Sequence, residues 1–450
     1  MVIPAAALLL SAAHPAAAAA PWRAGVALTR DGARLMYDGL PFAAVGVNKH
    51  ELLEQYLAQG QGRSAEEAAQ ARAAAKLSLQ RLAAAGVRVV RFRACPFWPT
   101  WATRTLLSED PAVRAASWAA FDELLDDCDR HGLRVIPSLA WNLAVFPDLA
   151  GESLADFATM PDSPGRVLFR QWVEALVGRY ADRDTILFWE LGNEWNLVAD
   201  LRPMFAERGV FEGIDPPGAQ ELLGGPVVRD GSNNLSSDEL AGFTRDLCRL
   251  IKSIDGRHLV GTGFSAPRTS AWHLWLGSLR RAREMDWTVD TPGEQADYLR
   301  LITPPDVDLV SLHYYGEGPG APTLEGVLDL KLAADSIATP VYVGEVGVSP
   351  EVFGQPVYDH PGAVDSLRLL LDALREAGIP LALAWTWDEW GEPIHEPVLR
   401  PDSQPGVVAV LSQAQVAAAE AAQSPPPEAE EARVRLGEIA KELRALRPQP

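Results

Sequence analysis

Residues 26–48, VALTRDGARLMYDGLPFAAVGVN, alternate apolar and polar positions around Asp31-Gly32 and Asp38-Gly39. This pattern predicts a β-hairpin leading into a more buried strand. Beyond it, short Val/Ile/Leu-rich runs alternate with Ala/Leu/Arg-rich stretches of helical period, many ending at a glycine just before the next run. The strands expected are Pro41–Asn48, Val87–Ala94, Arg134–Ala140, Thr185–Gly192, His258–Phe264, Val307–Tyr315, Pro340–Val348 and Leu381–Trp387. Helices are expected at LSLQRLAAAG, FDELLDDCDRHG, FRQWVEALVGRYAD, LAGFTRDLCRLIKSIDG and SLRLLLDALREAG, before the second, third, fourth, fifth and eighth strands. Strands alternating with helices imply a parallel sheet, and eight of them close into an α/β (β/α)8 TIM barrel. An open doubly wound sheet would call for a glycine-rich phosphate loop after the first strand, and VGVNKHELLE is not one.

In such a barrel the loops after the strands build the active site, so polar residues at strand C-terminal ends become readable. Asn48 and His50 follow the first strand, and Arg91 and Arg93 lie on the second. Trp141 and Asn142 follow the third, and Asn193 and Glu194 the fourth. His313, Tyr314 and Tyr315 end the sixth, Glu345 sits in the seventh, and Trp385 and Trp387 in the eighth. Two long loops, Asn196 to Leu235 and Ser265 to Arg300, follow the fourth and fifth strands; the second carries Trp272, His273, Trp275 and Trp287. They are expected to wall a cleft.

Composition narrows the partners. The net charge of −20 and the lack of clustered Lys and Arg exclude nucleic acid, leaving a neutral partner. Residues 1–20, MVIPAAALLLSAAHPAAAAA, hold no charged side chain and end in small residues, the pattern of a secretory signal peptide without its basic start. The protein is expected to be secreted or periplasmic, with no membrane span, and to act as a monomer. Residues 21–420 are expected to form one catalytic domain, and 421–450 a proline-rich linker and a C-terminal helix. The three cysteines make neither a disulfide framework nor a zinc spacing; Cys128 and Cys248 read as buried helix positions.

The segment ILFWELGNEWNL, Ile186 to Leu197, places two glutamates in an apolar run, where an unpaired carboxylate is expensive. Period two puts Glu190 and Glu194 on one side, ~13 Å apart along the strand. Glu194 lies at the rim, while Glu190 lies deeper and needs a partner such as Arg91 or Arg93. LGNEW on the fourth strand and VGEVG on the seventh resemble the acid/base and nucleophile signatures of the retaining (β/α)8 glycoside hydrolase clan. VRF, HYY and WTWDEW on the second, sixth and eighth strands, with the hairpin DGLPFAAVGVNKH, most resemble glycoside hydrolase family 5, the cellulase and mannanase family, over Val26 to Trp390.

That resemblance implies Glu194 as general acid/base and Glu345 as nucleophile of a cofactor-free, retaining β-glycosidase acting on a neutral poly- or oligosaccharide. It implies Arg91 as a cation beside Glu345, Asn193 on the sugar 2-hydroxyl, Tyr315 donating to the nucleophile within a His313-x-Tyr315 pattern, and Trp387 as the sugar platform with Trp385 competing. Asn48, Trp141 and Asn142 complete the expected substrate-binding set. Family 5 endoglucanases commonly carry a histidine where this chain has Trp141 and Asn142, a departure that leans toward mannanase-like or exo-acting relatives. A non-catalytic carbohydrate-binding barrel is the second reading. Glu317, Asp388, Glu389, Glu392 and Glu396 read as rim charges. The eight histidines show no metal-ligand spacing and no G-x-S-x-G elbow occurs.

Overall fold

The computed structural model describes residues 22–57, 63–95, 105–202, 204, 228, 230–316, 321–353, 357–387, 399–400, 404–424 and 427–447. The leader at 1–20 and the rim acids Glu317, Asp388, Glu389, Glu392 and Glu396 lie outside them. The hairpin region forms an antiparallel sheet of β1 (Leu28–Asp31), β2 (Arg34–Tyr37) and β3 (Leu40–Pro41). Pro41, expected to open the first barrel strand, closes β3 instead, because the next residue, Phe42, returns its N–H to the Leu35 carbonyl at 2.9 Å.

Eight parallel strands follow: β4 (Ala44–Asn48), β5 (Val89–Arg93), β6 (Arg134–Ala140), β7 (Phe188–Gly192), β8 (Leu259–Gly261), β9 (Val310–Tyr314), β10 (Val341–Val346) and β11 (Leu381–Ala384). Their spatial order is β8-β7-β6-β5-β4-β11-β10-β9, and a parallel bridge from Gly261 to Leu309 joins the two ends. The sheet is a (β/α)8 barrel. Most strands are shorter than their apolar runs, since residues such as Trp385 and Trp387 continue the run after the regular ladder has stopped. The surrounding helices begin where their capping chemistry dictates. Ala65–Ala84 and Ser237–Ile254 each open on a capping box, Ser64 with Glu67 and Ser236 with Glu239, while Pro111–Arg130 and Pro164–Tyr180 start on proline behind Asp110 and Ser163.

The excursion after β8, expected as a long loop, is partly helical. It holds helices Ala271–Leu279 and Pro292–Ile302, the second opened by a capping box of Thr291 and Glu294. The C-terminal segment is docked rather than free: helix Ala429–Leu446 buries Ala432 and Leu436 in the main core, and Arg433 pairs with Asp329. Among the described residues no helix is long and apolar enough to cross a membrane. Cys128 and Cys248 are buried on helices, and none of the three cysteines is in a disulfide.

The N-terminal sheet decides which mouth of the barrel stays open. Leu28 and Leu35, with Trp22, Tyr37 and Phe42, pack on Val89, Ile136, Leu187, Phe188, Leu309, Leu381 and Leu383 and fill the end where the strands begin. Polar chemistry is left to the opposite end.

The excursion after β7 leaves and returns at one point, where Ala199 bridges Leu235. Asp200, in a left-handed conformation at φ 59°, clamps this base by accepting the Ser237 N–H at 3.1 Å and the Ser237 hydroxyl at 2.5 Å. Burial pushes its carboxyl up to about 6. The folded value exceeds the unfolded one, so its stabilising contribution is complete below the ordinary carboxylate range and is lost as pH rises through about 6. Asp200→Asn keeps an acceptor, suits the left-handed backbone and removes the charge. It is expected to raise stability at pH 8 by roughly 1–2 kcal/mol, with no gain at pH 4, as read by thermal melts at both.

Candidate active site

Arg91 organises the open mouth from below. It is fully buried, and its Nε donates to both oxygens of Glu190 at 2.9 and 2.8 Å. Nη1 donates to Asn48 Oδ1 at 2.9 Å and to Glu345 Oε1 at 2.8 Å, and Nη2 to Asn193 Oδ1 at 2.7 Å. Of the two arginines considered for Glu190, Arg91 is the partner; Arg93 pairs with Glu54. Tyr342, not anticipated from the sequence, donates its hydroxyl to Glu190 Oε2 at 2.8 Å. One planar cation with fixed donors thus ties strands β4, β5, β7 and β10 together.

Glu194 reaches the rim through a backbone device. The residue takes φ 55°, ending the extended run, and its N–H donates to the Gly263 carbonyl at 2.8 Å. Gly263, at φ 71°, permits that approach, since a Cβ there would stand 1.8 Å from the Gly192 oxygen. Glu345 is aimed by a different irregularity. In β10 the register against β9 slips between Val343 and Glu345, leaving Gly344 as the extra residue of a bulge. The two carboxyls meet across the mouth: one oxygen of each lies within 4.8 Å of the other and of a His313 ring nitrogen. His313 Nδ1 stands 3.0 Å from Glu194 Oε1 and 3.5 Å from Glu345 Oε2, and the Tyr315 hydroxyl donates to Glu345 Oε2 at 2.5 Å.

The remaining expected residues divide. Asn193 is half-buried, and because Arg91 is a pure donor its amide oxygen faces inward, which leaves its NH2 for a ligand. Asn48 and Arg91 are fully buried with their polar atoms committed inside the protein, Asn48 Nδ2 donating to the Gly344 carbonyl at 2.8 Å, so both position the site rather than touch a substrate. Asn142 uses its side-chain oxygen to accept the Ala144 N–H at 2.9 Å. Trp387 is 0 % exposed and belongs to the main core, so it has no face to offer as a platform. Trp385, 7 % exposed, stacks near Trp141 with ring centroids 5.9 Å apart, and Trp141 carries the Arg91 guanidinium 4.4 Å from its ring centroid.

This barrel matches solved structures along almost its whole length. An endo-1,4-β-mannanase from Rhizomucor miehei covers 88% of the chain and 99% of its own, with TM-score 0.58 at 16% identity. A glycoside hydrolase family 5 mannosidase from the same organism covers 93% and 99%, with TM-score 0.55 at 14% identity. The chain shares the fold of glycoside hydrolase family 5. An endo-β-1,4-mannanase from Thermotoga petrophila covers 83% of the chain and 76% of its own, with TM-score 0.55 at 16% identity. No family model matches the sequence, and no curated protein does.

Within this family 5 fold the electrostatics of the pair are unequal. Burial drives Glu345 above its usual value, with the charge of Glu194 adding to the rise against His313, Arg91 and Tyr315. Glu194 lies below its usual value, because the His313 hydrogen bond and charge, with Arg91, outweigh burial. The roles that the resemblance implies, Glu194 as general acid and Glu345 as nucleophile, call for the reverse order. Coupled this tightly, the pair titrates as a unit, and its singly protonated state holds two arrangements of one proton. Of the two arrangements, the directions of these shifts favour the proton on Glu345.

Two trios also have the spacing of metal ligands, which their distance apart in sequence concealed: Glu194, His313 and Glu345, and separately His273, Asp290 and Glu294. The second is a structural clasp, in which Asp290 accepts the Trp272 N–H at 2.8 Å and faces His273 Nδ1 at 2.7 Å.

Proposed function

We propose that this protein is a retaining β-glycoside hydrolase acting on a neutral poly- or oligosaccharide, mannan-type chains first among them. The observation that carries the reading is the pair of carboxyl groups from β7 and β10, with oxygens within 4.8 Å across one mouth of the barrel. Retention needs carboxyls about 5–5.5 Å apart, and inversion about 6.5–9.5 Å to admit a water. The kind of enzyme the mannanase and mannosidase neighbours are supports the choice of substrate.

The reaction follows from where the charges lie. Glu345 attacks the anomeric carbon and forms an ester while Glu194 gives its proton to the departing oxygen. The attack uses the arrangement with the proton on Glu194, and a sugar that expels water from around Glu194 raises its carboxyl and favours that arrangement. Esterification removes the Glu345 charge. Glu194, now ionised, takes a proton from water, and the water oxygen attacks the same carbon to release the β anomer. Asn193 donates to the sugar 2-hydroxyl, a contact that strengthens as the ring flattens.

The test is turnover of β-mannan, β-glucan, xylan and aryl β-glycosides, with proton NMR of the first product. The β anomer is expected, and an α anomer rules out double displacement. Tyr315→Phe removes a donor to the charged form of Glu345, so Glu345 rises further and the acid limb of kcat/KM moves to higher pH, with kcat down about 10- to 100-fold. An unmoved limb assigns Tyr315 another task. A leader over residues 1–20 would carry the enzyme out of the cytoplasm, which N-terminal sequencing of protein from culture fluid tests.

A second reading, a carbohydrate-binding barrel without turnover, leaves the paired carboxyls without a task. It wins if wild type binds these sugars and hydrolyses none.

A further inference from the structure

A third titratable group stands at the mouth and takes no part in the hydrolysis as proposed. His50, two residues past β4, lies flat against Trp385, with ring centroids 5.2 Å apart and planes 14° apart, and beside Trp141 at 6.4 Å. Trp141 packs on the same guanidinium that holds Glu345. Around the barrel β4 is two strands from β10, which bears Glu345, and three from β7, which leads to Glu194. His50 therefore belongs to the wall nearer the nucleophile.

The hydrogen bonds around the ring fix its tautomer. Nδ1 lies 3.2 Å from Thr386 Oγ1. That hydroxyl has one hydrogen and gives it to the Asn48 carbonyl at 3.0 Å, so it accepts from His50, and the imidazole proton sits on Nδ1. Glu51 Oε2, 3.4 Å from the same nitrogen, demands a donor there as well. Burial pushes the imidazole down to about 4 against the pull of Glu51, which keeps it neutral in mildly acidic and neutral solution. Nε2 then carries a lone pair. It makes no hydrogen bond among the described residues, and the side chain keeps 15 % of its surface exposed. The result is an oriented acceptor on a partly exposed ring, in a site where the Asn193 amide donates.

We propose that His50 Nε2 accepts a hydrogen bond from one hydroxyl of the sugar bound on the Glu345 side, which makes His50 a substrate-binding residue that selects sugars bearing that hydroxyl. The proposal rests on the glycosidase reading and deepens it. His50→Phe keeps a flat ring against Trp385 but has no acceptor, whereas His50→Gln restores a carbonyl oxygen near Nε2. On an aryl β-mannoside the Phe variant is expected to lose about 10- to 100-fold in kcat/KM, and the Gln variant to recover to within about fivefold. Across a set of monodeoxy aryl β-mannosides, one deoxy position should erase the difference between wild type and His50→Phe; a merely structural role erases none. Equal kcat/KM for wild type and the Phe variant, or a gap that persists on every deoxy substrate, overturns the proposal. Should wild type turn over no glycoside, calorimetric titration with mannohexaose makes the same comparison through Kd. Weaker binding by the Phe variant then supports His50 even though the hydrolase reading has failed, and equal Kd overturns it. If wild type neither hydrolyses nor binds sugar, both fall.

Discussion

Glu345→Ala and Glu194→Ala are expected to lower turnover of an aryl β-glycoside by about 10⁴-fold or more, and to differ in how they respond to azide. Removing Glu345 leaves a cavity on the face from which the anomeric carbon is attacked. Azide entering it displaces the aglycone in one step, with Glu194 still able to donate, and yields the α-glycosyl azide. Removing Glu194 leaves the nucleophile intact, so an activated phenol still departs and the glycosyl-enzyme accumulates. Azide then opens the ester from the other face and gives the β-glycosyl azide. The two products have opposite configuration, so NMR of each assigns the roles without reference to absolute rates. An α product from Glu194→Ala would make Glu194 the nucleophile and Glu345 the acid/base, and full activity in either variant would remove that glutamate from the chemistry. The same pair predicts a bell-shaped pH profile whose limbs belong to the two carboxyls jointly, because neither titrates independently of the other.

What the sequence conveyed depended on how regular the backbone stays. Arg134–Ala140 emerges as a strand with the bounds its pattern indicates, since both its faces are covered and its apolar run is continuous. The same logic placed Glu190 deep and Glu194 at the rim, and named Arg91 among its partners. Period two breaks where the chain is irregular. Tyr342 and Glu345 are three residues apart and should face opposite sides, yet the bulge at Gly344 brings the first onto Glu190 and the second onto Arg91. The ladder of β11 stops at Ala384, so Trp385 and Trp387 no longer share a face, one stacking on His50 and Trp141 and the other lying in the main core. Helix Pro292–Ile302 was hidden for another reason. Its signal, Thr291-Pro292 followed by Glu294, sits inside a run of mixed aromatic and charged residues that reads as loop. Asn48 illustrates a third limit. A polar residue at a strand end is visible in sequence, but whether it faces a substrate or an arginine is a matter of which long-range partner arrives.

Arg91→Met is expected to lower both stability and activity, and the two losses are separable. The guanidinium and the Glu190 carboxylate are both 0 % exposed, so the variant leaves a buried charge that, among the described residues, only the Tyr342 hydroxyl holds. Breaking a buried pair from one side costs about 3–5 kcal/mol, which urea unfolding measures directly. Adding Glu190→Gln removes that charge and retains a group able to accept from Tyr342, so the double variant should recover most of the stability. Activity should not return with it. Glu345 would still lack the Nη1 donor that favours its ionised form, and burial would hold it protonated to higher pH. Asn193 would lose the partner that orients its amide. A residual deficit of about 10²- to 10³-fold in kcat/KM is therefore expected for the refolded double variant, with its acid limb moved upward. Recovery of activity in step with stability would mean that Arg91 serves only to neutralise Glu190, and that the ionisation of the nucleophile is set by Tyr315 and His313 alone.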